Sequence, residues 1–134
     1  MTQFHLKIVT PDGERFNGMA EGISLRTVSG DMGILAHHID CVAPLGMGQA
    51  TVTVDGNKRA AACIGGMVSV LNGDVTVVST TFEWAEDIDH VRARMAEESA
   101  REVLAQKDAS AIQLELAQAK LKRALIRQSV YNRK

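Results

Sequence analysis

The chain has 134 residues, 46% apolar and 23% charged, with a formal net charge of −1 at pH 7. That size and balance suit one globular domain, or a small domain with an appendage, and exclude whole-chain disorder. Apolar runs of a few residues exclude a membrane span, and two cysteines exclude a disulfide-dense scaffold.

The start, MTQFHLKIVT, lacks a basic patch followed by an apolar stretch, so no secretory signal is expected. Phe4–Thr10 alternates as a strand does, and Pro11-Asp12-Gly13 then supplies turn chemistry. Gly22–Val28 and Gln49–Val54 alternate again, and Asp55-Gly56 signals a hairpin. Lys58–Ile64 returns, Gly65-Gly66 is expected to break it, and Met67–Leu71 resumes. Asn72-Gly73 makes another hairpin turn into Asp74–Thr80. With no helix between them, these strands predict an antiparallel sandwich or barrel.

The period changes near residues 81–87. From there Ile88, Val91, Met95, Ala96, Ala100 and Val103 recur at helical spacing, with Asp87 as the expected N-cap and Asp89 complementing the helix dipole. Ser110 and Gln113 have capping-box spacing. They start a second helix with Ala111, Leu114, Ala117, Leu121, Ala124 and Leu125 on one side. The short break predicts an antiparallel hairpin. Alanine buries little area, so the hairpin is expected to pack weakly and to be a candidate moving part. The predicted fold class is an all-β sandwich or barrel followed by a C-terminal α-helical hairpin, divided at residues 1–84 and 85–134.

Charge follows the same division. Residues 1–86 carry a net −4, residues 87–108 a net −2 and residues 109–134 a net +5. A basic tail on an acidic body points to an acidic partner, a phosphate-bearing ligand or a membrane face. Only three Phe, one Trp and one Tyr are present, which argues against base stacking and so against nucleic acid as the partner.

No P-loop, nucleophile elbow, HExxH or paired CxxC occurs, and no catalytic residue is assigned. Adjacent residues of an extended chain point to opposite faces, so His37, His38 and Cys41, with Asp31 and Asp40 nearby, are not expected to hold a metal. Cys41 and Cys63 read as small hydrophobes. Asp89 and Arg92, three apart in a first helical turn, read either as an ion pair or as half of a nucleotide site. In the second reading Asp89 accepts from an adenine amino group or a ribose hydroxyl. Arg92 then meets ribose or phosphate, and Arg123 and Arg127 clamp phosphates from the second helix. Ile88 and Ala93 shape the adenine pocket.

Five features in order now resemble a family. They are LKIVTPDGERFNG, the loop SGDMGILAHH, the double glycine in IGGMVSVLNGDVTVVS, the segment IDHVRA and the basic helix LAQAKLKRALIR. Together they resemble the epsilon subunit of bacterial F-type ATP synthase over nearly the whole length. Where that family commonly has proline and glycine before the loop histidine, this chain has Ala36-His37.

The resemblance implies a non-catalytic rotor subunit on the central stalk. Its partners would be the gamma subunit, the ring of c subunits, and the alpha/beta catalytic head, reached through the helices. It would lie peripherally on the cytoplasmic face of the bacterial membrane and couple proton-driven rotation to ATP synthesis. Asp31 and His38 match the region facing the c ring. The hairpin would lie folded on the sandwich or extend toward the head, where Lys120, Lys122 and Arg123 would meet an acidic segment and oppose hydrolysis. No cofactor is required, and regulatory ATP would favour the folded state through Ile88, Asp89, Arg92, Ala93, Arg123 and Arg127. The competing reading is a β-sandwich binding module whose basic hairpin meets an acidic or nucleic-acid partner.

Overall fold

A computed structural model describes residues 2–133. Eight strands come first: β1 (Phe4–Thr10), β2 (Gly13–Ala20), β3 (Gly22–Thr27), β4 (Gly30–Leu35), β5 (Cys41–Pro44), β6 (Met47–Val54), β7 (Asn57–Leu71) and β8 (Asp74–Trp84). A 3₁₀ turn, Ala85–Asp87, leads to helices α1 (His90–Ala105) and α2 (Ala111–Tyr131).

The strands run in the order β2-β1-β8-β7-β6-β3-β4, and β5 joins β7 off that path. One pair departs from the antiparallel expectation. β1 and β8 are parallel, with Leu6 opposite Val75 and Ile8 opposite Val77. The connection between them is the whole of β2 to β7 rather than a helix, which composition alone does not reveal. The sandwich closes over one core that includes Leu6, Ile8, Leu25, Ile34, Val52, Val68, Val77 and Phe82. Phe82 meets Trp84 edge to face at 5.0 Å, and Trp84 Nε1 donates to the Arg15 carbonyl at 3.2 Å, so the indole is buried without an orphaned donor.

Two further expectations are corrected. Gly65-Gly66 does not break a strand, because β7 runs unbroken through it. Its first half pairs with β6 and its second half with β5, while β8 pairs along both. The glycines form the corner between these partners, with φ of 72° and 109°. At Gly66 a Cβ would stand 1.9 Å from the Val78 carbonyl oxygen, so only glycine fits. The segment read as a loop from Ser29 to His38 contains β4, hairpin-paired to β3 from Gly22–Leu35 to Thr27–Gly30.

The helices are antiparallel. His90, at the start of α1, stacks on Tyr131, at the end of α2, with ring centroids 4.6 Å apart. The capping box at Ser110 and Gln113 is present in both directions. At the head of α1 the N-cap is Asp89, not Asp87, which lies in the 3₁₀ turn. The face that α1 turns inward keeps Ala100 of the expected stripe, adds Ala93 and leaves out Val91 and Met95. Ala93 and Ala100 are buried, whereas Val91 and Met95 are 58% and 63% exposed. Close helix contact selects the small side chains and leaves the large ones outside.

The end of α2 packs on the outer face of the sandwich. Ala62, Ala85, Ile88 and Val130 form a second small core, with Ala60, Ile126 and Tyr131 against it. This explains the run Ala60–Ile64, where alternation is lost because both faces of the sheet are covered there.

Candidate functional site

A cleft of about 580 Å³ lies between the helices. Its lining includes Asp89, Arg92 and Ala93 from the start of α1, and Lys120, Arg123 and Arg127 from α2. Five of the six residues expected at a nucleotide site therefore meet in one place. Ile88 is not among the lining residues; it is 5% exposed and belongs to the small core beneath α2. Met95, Ala96 and Ser99 complete the walls. Met95, part of the apolar spacing of α1, lines this cleft and is 63% exposed.

The local structure explains the positions. Asp89 is held as the N-cap, its Oδ1 accepting from the Arg92 backbone N–H at 3.0 Å. Asp89 and Arg92 form no ion pair, so the carboxylate shapes the helix start rather than neutralising the arginine. Lys120, Arg123 and Arg127 stand at i, i+3 and i+7, a stripe roughly 10 Å long on one face of α2. Lys120 Nζ donates to Ser99 Oγ across the cleft at 3.2 Å. Arg127 Nε donates to Glu83 Oε1 on β8 at 2.6 Å. Arg92 and Arg123 have no carboxylate partner among the described residues. Four cations thus surround a cavity whose single lining carboxylate is already engaged, a setting suited to a polyanion.

A second tie across the helices lies on the neighbouring face. Gln128 Nε2 donates to Glu97 Oε1 at 2.8 Å, and Arg101 Nε donates to Oε2 at 2.8 Å. These hydrogen bonds hold the Glu97 carboxyl below its ordinary pKa, the Gln128 bond contributing most.

Elsewhere, Asp31 and His38 are not brought together. Asp31 is at the start of β4 and pairs with Arg26 at 3.3 Å. His38 lies beyond the other end of that strand, which by strand rise is roughly 13 Å long between Asp31 and Leu35. His38 Nδ1 is 2.8 Å from the Ile39 carbonyl and 3.9 Å from Cys41 Sγ. Between and beside them Leu35, Ile39 and Val42 are 66–78% exposed. No group of three His, Cys, Asp or Glu side chains among the described residues is arranged to hold a metal ion. Lys122, expected beside Lys120 and Arg123 in one basic patch, is separated from them and faces the sandwich. No helix among the described residues is long and apolar enough to cross a membrane.

Comparison with known proteins agrees with this architecture. The family model described as "ATP synthase, Delta/Epsilon chain, beta-sandwich domain" matches residues 3–85, and "ATP synthase, Delta/Epsilon chain, long alpha-helix domain" matches residues 86–132. An ATP synthase epsilon chain of Halalkalibacterium halodurans is 37% identical over 99% of this chain and 100% of its own length. One of Shouchella clausii is 35% identical over 100% of this chain and 98% of its own. A chain in the Euglena gracilis mitochondrial ATP synthase, solved with OSCP, F1 and c-ring, superposes with a TM-score of 0.76 at 29% identity, covering 93% of this chain and 80% of that one. With both of its parts matched in order and relatives aligned end to end, the chain belongs to the delta/epsilon chain family of ATP synthases.

Proposed function

We propose that the chain is a rotor subunit that couples rotation to ATP synthesis and restrains ATP hydrolysis through its helices, with ATP as a regulatory ligand of the inter-helix cleft. As a member of this family it is a central-stalk subunit rather than a catalytic one. Its proposed partners are a gamma subunit, a ring of c subunits and an alpha/beta catalytic head. Its proposed place is the cytoplasmic face of the bacterial membrane, held there through the complex. The sandwich, residues 1–84, would make the gamma and ring contacts, and residues 85–134 would regulate.

The observation that carries the regulatory reading is the cleft that collects Arg92, Lys120, Arg123 and Arg127 around one cavity. In the folded arrangement Lys120 and Arg123 face this cleft, and Lys122 faces the sandwich. The three residues proposed to meet the catalytic head are therefore committed elsewhere while the hairpin is down. The same cations serve either a nucleotide or an acidic surface, but not both. A ligand shifts such a balance only by its differential affinity for one state. At millimolar ATP, micromolar affinity for the folded state supplies about 4 kcal/mol, and millimolar affinity well under 1 kcal/mol.

For the ring contact, the exposed edge strand β4 and the segment after it offer Leu35, Ile39 and Val42 as an apolar strip flanked by Asp31 and His38. Calorimetric titration of the full chain with ATP tests the cleft. Saturable binding lost on substitution of Arg92 supports it, and no binding at cellular nucleotide levels overturns it while leaving the rotor role to be tested by co-purification with the stalk and ring.

A further inference from the structure

A second charged cavity sits where the hairpin meets the sandwich. Two clefts of about 500 and 530 Å³ run together there, sharing Arg26, Met47 and Lys122. Three cations from three parts of the chain line them: Arg26 on β3, Lys122 on α2, and Arg133 just beyond α2. The only carboxylate in the lining is Asp31, which engages Arg26 Nη1 at 3.3 Å and leaves most of that guanidinium's donors open. Neither Lys122 nor Arg133 has an ion-pair partner among the described residues. Like charges facing each other across a junction repel, and an anion between them reverses the sign of the interaction.

The floor of the cavity is shaped to hold Arg26. At Gly48 an added Cβ would stand 2.7 Å from Arg26 Cβ and 3.0 Å from Cγ, so the bare glycine lets the arginine stem lie against β6. The guanidinium is thus carried on a fixed stem, while Lys122 reaches the same cavity from the helix. Ser24 and Thr51 add hydroxyls to the lining.

We propose that this junction is a site for a small phosphate-class oxyanion, which bridges Arg26 of the sandwich and Lys122 of α2 and so favours the folded hairpin. The site is separate from the inter-helix cleft, which none of its three cations lines.

The test titrates inorganic phosphate into the full chain at constant ionic strength, with chloride as the compensating anion and no nucleotide present. Amide chemical shifts and hydrogen exchange of α2 are the readouts. Saturable shifts at Thr27, Gly46, Gly48 and Lys122 are expected, with exchange of α2 slowed several-fold. Affinity should fall at least tenfold in Lys122→Gln and in Arg26→Gln, and stay unchanged in Arg92→Gln and Arg123→Gln. All four side chains are wholly or partly exposed, so the variants are expected to fold, and the second pair reports separately on the nucleotide cleft. Absence of saturable shifts overturns the proposal. So does an affinity unaltered in Lys122→Gln and Arg26→Gln, and so does a loss confined to Arg123→Gln, which would place the phosphate between the helices.

Discussion

Arg127 of α2 donates through Nε to Glu83 of β8 at 2.6 Å, with the two side chains 27% and 32% exposed. This ion pair joins α2 to the sandwich at one edge of the candidate nucleotide cleft. Partial burial strengthens it beyond a surface pair, while residual solvent keeps its worth at about 1 kcal/mol. Glu83→Gln is expected to speed amide exchange in the last two turns of α2 by roughly fivefold and to leave the strands unchanged. Exchange measured by mass spectrometry checks this.

Arg92 and Arg123 face the cleft without carboxylate partners, so removing either costs binding rather than folding. Arg92→Ala and Arg123→Ala are each expected to weaken ATP binding at least tenfold with little change in melting temperature. Ile88→Ala should do the reverse. Its side chain lies in the small core beneath α2, and truncation there costs roughly 2–5 kcal/mol of packing. Calorimetry paired with thermal melts separates the two effects.

Gly66 occupies a corner that no side chain fits, with φ of 109° and the Val78 carbonyl 1.9 Å from where a Cβ would be. Gly66→Ala is expected to prevent folding or to destabilise the sandwich by more than about 4 kcal/mol. Gly33→Ala, where an added Cβ meets nothing within 4 Å, should stay within about 0.5 kcal/mol. Urea denaturation of the two variants provides the comparison.

The Glu97 carboxyl is held below its ordinary value of 4.5 by hydrogen bonds from Gln128 and Arg101. Because the folded pKa is lowered, the stabilisation is complete above the ordinary value and is lost as pH falls through the lowered one. The link between α1 and α2 should therefore loosen only in acid. Gln128→Ala should raise the Glu97 pKa, as carboxyl chemical shifts would record.

Burial pushes the Cys63 thiol pKa up, and Ser79 Oγ at 3.5 Å offsets this only in part. Cys63 is 3% exposed. It should resist alkylation in the folded protein and react only after unfolding, with iodoacetamide labelling as the check.

Where periodicity and turn chemistry spoke directly, the residues foretold the structure. The capping box at Ser110 and the hairpins at Asp55-Gly56 and Asn72-Gly73 are local, and each is present. Gly65-Gly66 misled because paired glycines signal a break or a corner alike, and only the partners of β7 decide between them. Strand β4 hid inside GDMGIL because two glycines dilute its alternation. On α1, Val91 and Met95 belong to the apolar stripe yet lie exposed, whereas Ala100 of that stripe is buried together with Ala93. The cleft holds Asp89, Arg92 and Ala93 as expected, while Ile88, which precedes α1, turns into the small core beneath α2 and Met95 lines a wall. Charge alone groups Lys122 with Lys120 and Arg123, although a helix sends adjacent side chains in different directions.

The lateral pairing of β1 with β8 has a consequence for biosynthesis. β1 is translated before β8 and waits for it before gaining that neighbour, so the body cannot seal until residues near 78 have emerged. Such long-range closure is slow. The helices are translated after that point, and they dock onto a surface that exists only once the circuit is complete.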